Sequence, residues 1–275
     1  MAGDGLKLHR RVLRLDGRPY TVLGLRPGAT ARFATNRFHE TWHLLSSKAG
    51  AQLLARLLWG LSYERHPGTL IVIDRPFLDP TPFEGEASDP IVLVPRDLTP
   101  LSEAAARALR RSLPLTTPPD GTVRWRTHGL DLALADRAAW RQQVERECDG
   151  RNDLTSLVTR RGGLVTLAAP PVRLRHWAVA TAELDANRPP CPGMDYTYLT
   201  DNWRADGEVQ IFHRYRAMVS SATVARREVL AAGDRQEPAE AVRERIWRRA
   251  AEVRRRRTSG QPVSSGQPVS SGAGR

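Results

Sequence analysis

The sequence predicts an α/β to α+β fold, a mixed sheet with helices that is followed by a basic C-terminal helix and a disordered tail. Polar and apolar residues alternate on both sides of Asp16-Gly17, which is typical of a β-hairpin with a tight turn. Two short runs of β-branched and apolar residues, TLIVID from Thr69 and IVLV from Ile91, are typical of buried strands. Helical patterns separate and follow these strands, so both element types share the fold.

The remaining elements follow from local signals. A helical run is predicted from about residue 30 to residue 63, with a break near 46–50 where Ser47 can cap a second helix. Residues 74–90 are rich in proline and carboxylates and predict an irregular loop. Helices are predicted over about 99–112 and 136–147. Further strands are predicted in TVRWRTH, LRHWAVATAEL and EVQIFHRYRAMV.

Composition divides the chain into four segments. The proline-dense stretch 114–121 is the best candidate for a domain boundary. The sequence therefore predicts an α/β domain over 1–115, an α+β domain over 120–232, an arginine-rich helix over 233–257 and a disordered tail over 258–275. The tail repeats SGQPVS and has almost no apolar residues with which to form a core. The helix before it has apolar residues at three- and four-residue spacing, which places them on one side.

The basic charge has two interpretations. The net charge is +12 and the pI is about 10.9, values that suit an anionic partner such as nucleic acid. Only two of the 42 basic residues are lysines, however, which is typical of codon bias in a GC-rich genome. The excess is concentrated at the C-terminus, where residues 226–275 contain twelve arginines and six acidic residues and so carry half of the net charge. Residues 234–257 are therefore the predicted contact for nucleic acid or an acidic protein.

Other classes of protein are disfavoured by composition. No segment is long and apolar enough to span a bilayer, so we expect a soluble, cytoplasmic protein with no membrane partner. The two cysteines, Cys148 and Cys191, are too few for a disulfide scaffold. Neither glycine-rich phosphate-binding pattern occurs, and we expect no nucleotide cofactor.

One short stretch carries a specific chemical signal. Residues 39–43 read His39-Glu40-Thr41-Trp42-His43, an H-E-x-x-H pattern within the predicted helix. Residues four apart lie on one side of a helix, so both imidazoles could reach one metal ion. The pattern resembles that of the zincin metallohydrolases, in which the histidines hold zinc and the glutamate is the general base for the zinc-bound water. The resemblance covers these five residues and implies Zn²⁺ as cofactor, with Glu40 as the catalytic base.

A catalytic zinc ion also needs a third protein ligand. Asp74 is favoured because it ends a predicted buried strand, and sites in α/β proteins are usually built at such ends. Glu64 follows His43 by too many helical residues to return to it, while His66 and Asp79 are weaker alternatives. The metal ligands predicted by this interpretation are His39, His43 and Asp74.

Two functional hypotheses follow. The first is a zinc-dependent hydrolase, with peptidases among the candidates. The second is a non-enzymatic cytoplasmic binding protein that contacts nucleic acid or a protein partner through its arginine-rich C-terminal helix. In the second, the histidines arise by chance on a polar helix side that faces water. Aromatic residues beside arginines, at Trp125 and Tyr215, could also stack on unpaired bases, although alternation equally predicts that they point into the core.

Overall fold

In the computed structural model, residues 5–148, 156–188, 192–199, 207–232 and 237–258 are described. The chain divides into two compact units, one of residues 1–81 and 87–215 and the other of residues 82–86 and 216–275. Mixed sheets and helices build the fold, as the sequence predicted. The strands are β1 (Lys7–Leu15), β2 (Arg18–Gly24), β3 (Phe33–Phe38), β4 (Thr41–Ser46), β5 (Thr69–Ile73), β6 (Ile91–Pro95), β7 (Gly121–Arg124), β8 (Leu157–Arg161), β9 (Leu164–Ala169), β10 (Met194–Tyr198) and β11 (Gly207–Phe212).

The helices fall between and after these strands. No helix among the described residues is both long enough and apolar enough to cross a membrane. The helices are α1 (Lys48–Leu61), α2 (Glu103–Arg111), α3 (Leu130–Ala135), α4 (Arg137–Cys148), α5 (Pro171–Ala182), α6 (Tyr215–Ala232) and α7 (Ala239–Thr258).

The larger sheet has seven strands in the order β7-β1-β2-β5-β6-β9-β8. Its first hairpin turns at Asp16 and Gly17, both with positive φ, as their sequence predicted. Every residue of β5 and β6 is buried, which explains why both strands are apolar throughout. Helices α1 and α5 pack against each other, and their apolar residues share a core with one face of the sheet. Helix α2 covers the other face with Ala105, Ala106 and Leu109.

The smaller sheet has four strands in the order β10-β11-β4-β3. Strands β3 and β4 form an antiparallel hairpin, and β4 pairs in parallel with β11. One face contributes Phe33, Leu44, Val209 and Ile211 to the core that also contains α1 and α5. The other face is the floor of the groove described below.

Three predicted elements were wrong in type, two of them throughout most of their length and one in its second half. Residues 33–46 form the β3–β4 hairpin where a helix was predicted, and the helix begins only at Lys48, after Ser47 at the predicted N-cap position. Alternate side chains of β3 and β4 face the core, which is the two-residue period of a strand. Packing against the core therefore prevails over helix propensity. Residues 174–184 were predicted as a strand, but most of them lie in α5, which begins with a proline at its first position. The strand predicted over 208–219 ends with β11 at Phe212, and its last residues form the start of α6.

The segment 114–121 does not separate the two units. The segment itself and the strands on either side of it, β6 and β7, all lie in the first unit. Strand β7, which follows this segment, pairs with β1 at the edge of the seven-stranded sheet. The indole Nε1 of Trp125 then donates to the carbonyl groups of Arg56 and Leu57 in α1, at 3.2 and 3.3 Å. Residues of both predicted domains, 1–115 and 120–232, therefore contribute to the same core, and residues 216–232 belong to the second unit.

The second unit contains an amphipathic α7, as predicted for residues 233–257. Val229 of α6 packs with Ile246 and Ala250 of α7, and Val253 is buried on the same side of the helix. The indole Nε1 of Trp247 donates to Oε1 of Glu84 at 3.2 Å. Of the tail predicted over 258–275, Thr258 is the last residue of α7, and residues 259–275 lie outside the described residues.

The contact between α1 and Trp125 yields a test of the shared core. A Cβ atom on Gly60 would lie 2.3 Å from Trp125 Nε1 and 2.8 Å from the carbonyl oxygen of Arg126, so Gly60→Ala must displace this segment. We expect a loss of about 1–3 kcal/mol of unfolding free energy, as for other overpacked sites. Chemical denaturation measures it. Gly121→Ala is the control, because nothing lies within 4 Å of its Cβ position. Equal stability of the two variants would contradict a tight α1–Trp125 contact.

Candidate ligand-binding groove

The H-E-x-x-H pattern forms the tip of a hairpin. His39 and Glu40 are the two residues between β3 and β4, with φ of 47° and 66°. Two successive positive φ values are typical of a type I′ hairpin turn, which usually contains Asn-Gly or Asp-Gly. The His39 ring packs edge-on against Phe38, with 3.9 Å between the ring centroids. The helical arrangement on which the zincin resemblance depended is therefore absent at these described residues.

The structure does not bring the predicted zinc ligands together. Asp74 follows β5 of the larger sheet, and its carboxylate accepts a hydrogen bond of 2.9 Å from the backbone N–H of Leu115. Burial raises the pKa of Asp74. The Nε2 of His43 instead lies 3.3 Å from Oε2 of Glu208. Within the described ranges, no three His, Cys, Asp or Glu side chains are grouped so that they could hold a metal ion.

A groove of about 740 Å³ lies on the outer face of the smaller sheet. Its volume is within the range of small-molecule sites. All four strands and the turn contribute to it, because strand side chains alternate between the two faces of a sheet. The described lining residues are Phe38, His39, Glu40, Thr41, His43, Met194, Tyr196, Tyr198, Glu208 and Gln210.

The floor of the groove is a buried polar row. Glu208 is paired with His43 in the parallel β11–β4 register and with Tyr198 in the antiparallel β10–β11 register. The carboxylate of Glu208 is held at both oxygens, since Oε2 faces His43 and Oε1 accepts a 2.8 Å hydrogen bond from Nε2 of Gln210. His43 and Glu208 are 8% and 6% exposed, so this carboxylate is fixed in place within the sheet.

Two tyrosines form one wall. Tyr196 and Tyr198 are 49% and 43% exposed, and their ring centroids are 5.6 Å apart in a T-shaped arrangement. Desolvation, with the negative charge of Glu208 second, raises the pKa of Tyr198, which keeps its phenol protonated. Phe38, 38% exposed, lies at the hairpin end of the groove. Exposed aromatic rings grouped over a polar floor are a feature of binding sites, whereas single exposed apolar residues are common everywhere.

The charge of the groove is opposite to that of the chain. Among its described lining residues are two carboxylates, Glu40 and Glu208, and no lysine or arginine. The whole sequence has a net charge of +12. The neutral form of His43 can still donate Nε2–H to Glu208, because one nitrogen of a neutral imidazole carries a proton. The groove is therefore a locally acidic, aromatic surface on a basic protein.

The sequence pattern indicated His39, Glu40 and His43 but not their partners in the groove, which are Tyr196, Tyr198, Glu208 and Gln210. The alternation in residues 194–198 and 207–212 is a strand signal, yet nothing local predicts that β11 lies beside β4. The aromatics that were candidates for base stacking are in the core instead, because Trp125 and Tyr215 are 6% and 2% exposed.

Comparison with known protein families, with curated proteins and with solved structures found no match to this chain. The function must therefore be inferred from the groove itself.

The His43–Glu208 pair should be strongly coupled. Removing either side chain leaves a buried polar partner without its hydrogen bond, which costs about 1–3 kcal/mol. A double-mutant cycle of His43→Ala and Glu208→Ala, followed by chemical denaturation, should give a coupling energy of about that size. The control cycle is Lys48 with Asp185, whose ion pair is 3.3 Å long but half exposed, and whose coupling should be much smaller. Similar coupling in both cycles would contradict a fixed groove floor.

Proposed function

We propose that this protein is a binding protein whose groove takes an organic cation, a ligand with an ammonium or guanidinium group. The observation that carries this proposal is the pair of exposed tyrosines beside the fixed carboxylate of Glu208, in a groove whose described lining has no basic residue. A cation placed there would meet aromatic rings on one side and carboxylates on the other.

The energetics favour a cation over a neutral ligand. A cation over a tyrosine face gains about 0.5–1 kcal/mol when exposed and about 2 kcal/mol when desolvated. A ligand with N–H groups can add a charge-assisted hydrogen bond to a carboxylate, which contributes about 1.5–3 kcal/mol. A quaternary ammonium has no N–H donor and gains only the Coulombic attraction of the carboxylate. Tyr198 lies opposite Glu208 across the β10–β11 pair, so one ligand can use both groups. A neutral ligand of the same shape would lose both contributions.

The zinc-dependent hydrolase has less support from this geometry. Its metal site needs His39 and His43 on one side of a helix with a third ligand, whereas His39 lies in a turn and His43 contacts Glu208. Glu40 is at the turn as well, where it adds negative charge to the rim of the groove. The same residues therefore fit a cation-binding role without a metal.

Choline and its uncharged isostere 3,3-dimethyl-1-butanol test the attraction of the groove for a positive charge, because they share a shape and a hydroxyl and differ mainly in charge. Arginine methyl ester, which has N–H donors, can also make the hydrogen bond to Glu208. We expect calorimetric titration to show binding of choline, and of arginine methyl ester, but not of the isostere. Glu208→Gln and Tyr198→Leu should each weaken choline binding by about 5- to 30-fold, the equivalent of about 1–2 kcal/mol.

Tyr63→Leu is the matched control, since Tyr63 is 55% exposed and is not among the residues that line the groove. It should leave choline affinity unchanged. Equal affinity for the isostere, or no effect of Tyr198→Leu, would contradict the proposal.

A second candidate is association of residues 234–257 with nucleic acid or an acidic protein. The last turn of α7 contains Arg255, Arg256 and Arg257 in succession, at the end of a helix where cations are favoured. Arg254 precedes them, so four consecutive arginines lie at the C-terminal end of this helix. The last turn therefore has a high local density of positive charge, which favours a polyanion.

Changing Arg255, Arg256 and Arg257 together to glutamine tests this candidate. Binding to a DNA duplex should weaken, and the slope of log affinity against log salt should fall by about 0.9 for each lost phosphate contact. The control variant changes the exposed residues Arg107, Arg110 and Arg111 of α2 to glutamine, and it therefore removes the same charge. Equal effects of both triple variants would indicate that net charge alone determines the affinity for DNA. Duplex binding unchanged by the α7 variant would exclude the last turn of α7 as the binding site.

A further inference from the structure

A second cavity, of about 510 Å³, lies on the α2 face of the seven-stranded sheet. It is bounded by the C-terminal ends of β6 and β9, which are parallel, and by the chain that leads into α2. In α/β folds the C-terminal ends of parallel strands are where ligands usually bind. Ser102, the N-cap residue of α2, also lines the cavity.

The lining is basic. Arg18, Arg96 and Arg161 all contribute to it, and Asp16 is the acidic residue among the described lining residues. Arg161 is held in position, because its Nη1 donates to the carbonyl oxygen of Leu101 at 2.5 Å. A guanidinium group has five N–H donors in a planar fork, so Arg161 can bond a ligand as well as Leu101.

Thr166 supplies an independent sign of a ligand. This residue is 2% exposed and lines the cavity from β9. Its Oγ1 has no hydrogen-bond partner among the described residues. A buried hydroxyl without a partner costs folding free energy, so such groups are usually satisfied by a bound molecule or water. A ligand oxygen in the cavity would satisfy it.

We propose that this cavity binds a small organic phosphate. Three guanidinium groups, a threonine hydroxyl and a helix N-terminus offer more donors than the two oxygens of a carboxylate can accept, whereas a phosphate group presents three terminal oxygens. Val94, Leu157 and Ala168 also line the cavity and would contact the apolar body of the ligand. This site is independent of the cation groove and has the opposite charge preference.

Phenyl phosphate is the probe, because it joins a phosphate to a small apolar ring. We expect calorimetric titration to show binding of phenyl phosphate at least tenfold tighter than that of benzoate. Arg161→Gln should weaken it by at least tenfold, whereas Arg137→Gln, which removes an arginine paired with Glu183 elsewhere on the surface, should leave it unchanged. No binding of phenyl phosphate, or equal affinity for benzoate, would overturn the proposal.

Thr166→Val distinguishes a ligand contact from a merely buried hydroxyl. Thr181→Val is its matched control, because Thr181 is fully buried and its Oγ1 also has no partner among the described residues, yet it does not line the cavity. Both variants keep the side-chain shape, and we expect both to keep or raise the melting temperature. Thr166→Val alone should weaken phenyl phosphate binding, by about three- to tenfold. Unchanged affinity in Thr166→Val would overturn the assignment of this hydroxyl to the ligand.

Discussion

The parallel pairing of β6 with β9 is the constraint on which the first unit depends. It joins Ile91 to Val165 and Pro95 to Ala169, so chain segments far apart in sequence become neighbours at the centre of the larger sheet. Both strands are almost wholly buried, and their alternate side chains supply the cores on the two faces. The pairing also sets the position of α2, since that helix follows β6 and must return over the sheet.

The two sites of the first unit use the same architecture for opposite charges. Each lies where a parallel strand pair presents polar side chains, β4 with β11 in the groove and β6 with β9 in the cavity. Arginines line the cavity, and the groove combines carboxylates with aromatic rings. A high pI therefore says little about the chemistry at any one place on this protein, because local composition determines which ions a surface attracts.

Local signals predicted the elements that local chemistry determines. The hairpin at Asp16-Gly17 and the strands β5 and β6 follow from turn residues and β-branched runs, and all three are present. The β3–β4 hairpin escaped prediction because His39 and Glu40 occupy positions where glycine or asparagine is usual. Without that signal, a metalloprotease pattern and a helix were the natural interpretation. The groove was not predicted because Glu208 contacts His43 only through the parallel pairing of β11 with β4, and no short stretch of sequence predicts that pairing.

The distance along the chain between the two halves of the groove has a consequence during synthesis. His43 leaves the ribosome long before Glu208, and chains usually emerge at about 5–20 residues per second. In that interval β4 has a neighbour on one side only, in β3, and its other edge offers unpaired backbone groups to any strand. Arrival of β11 closes that edge and completes the groove in one event. A chain with a complete groove is therefore one whose β4 edge is no longer open to aggregation.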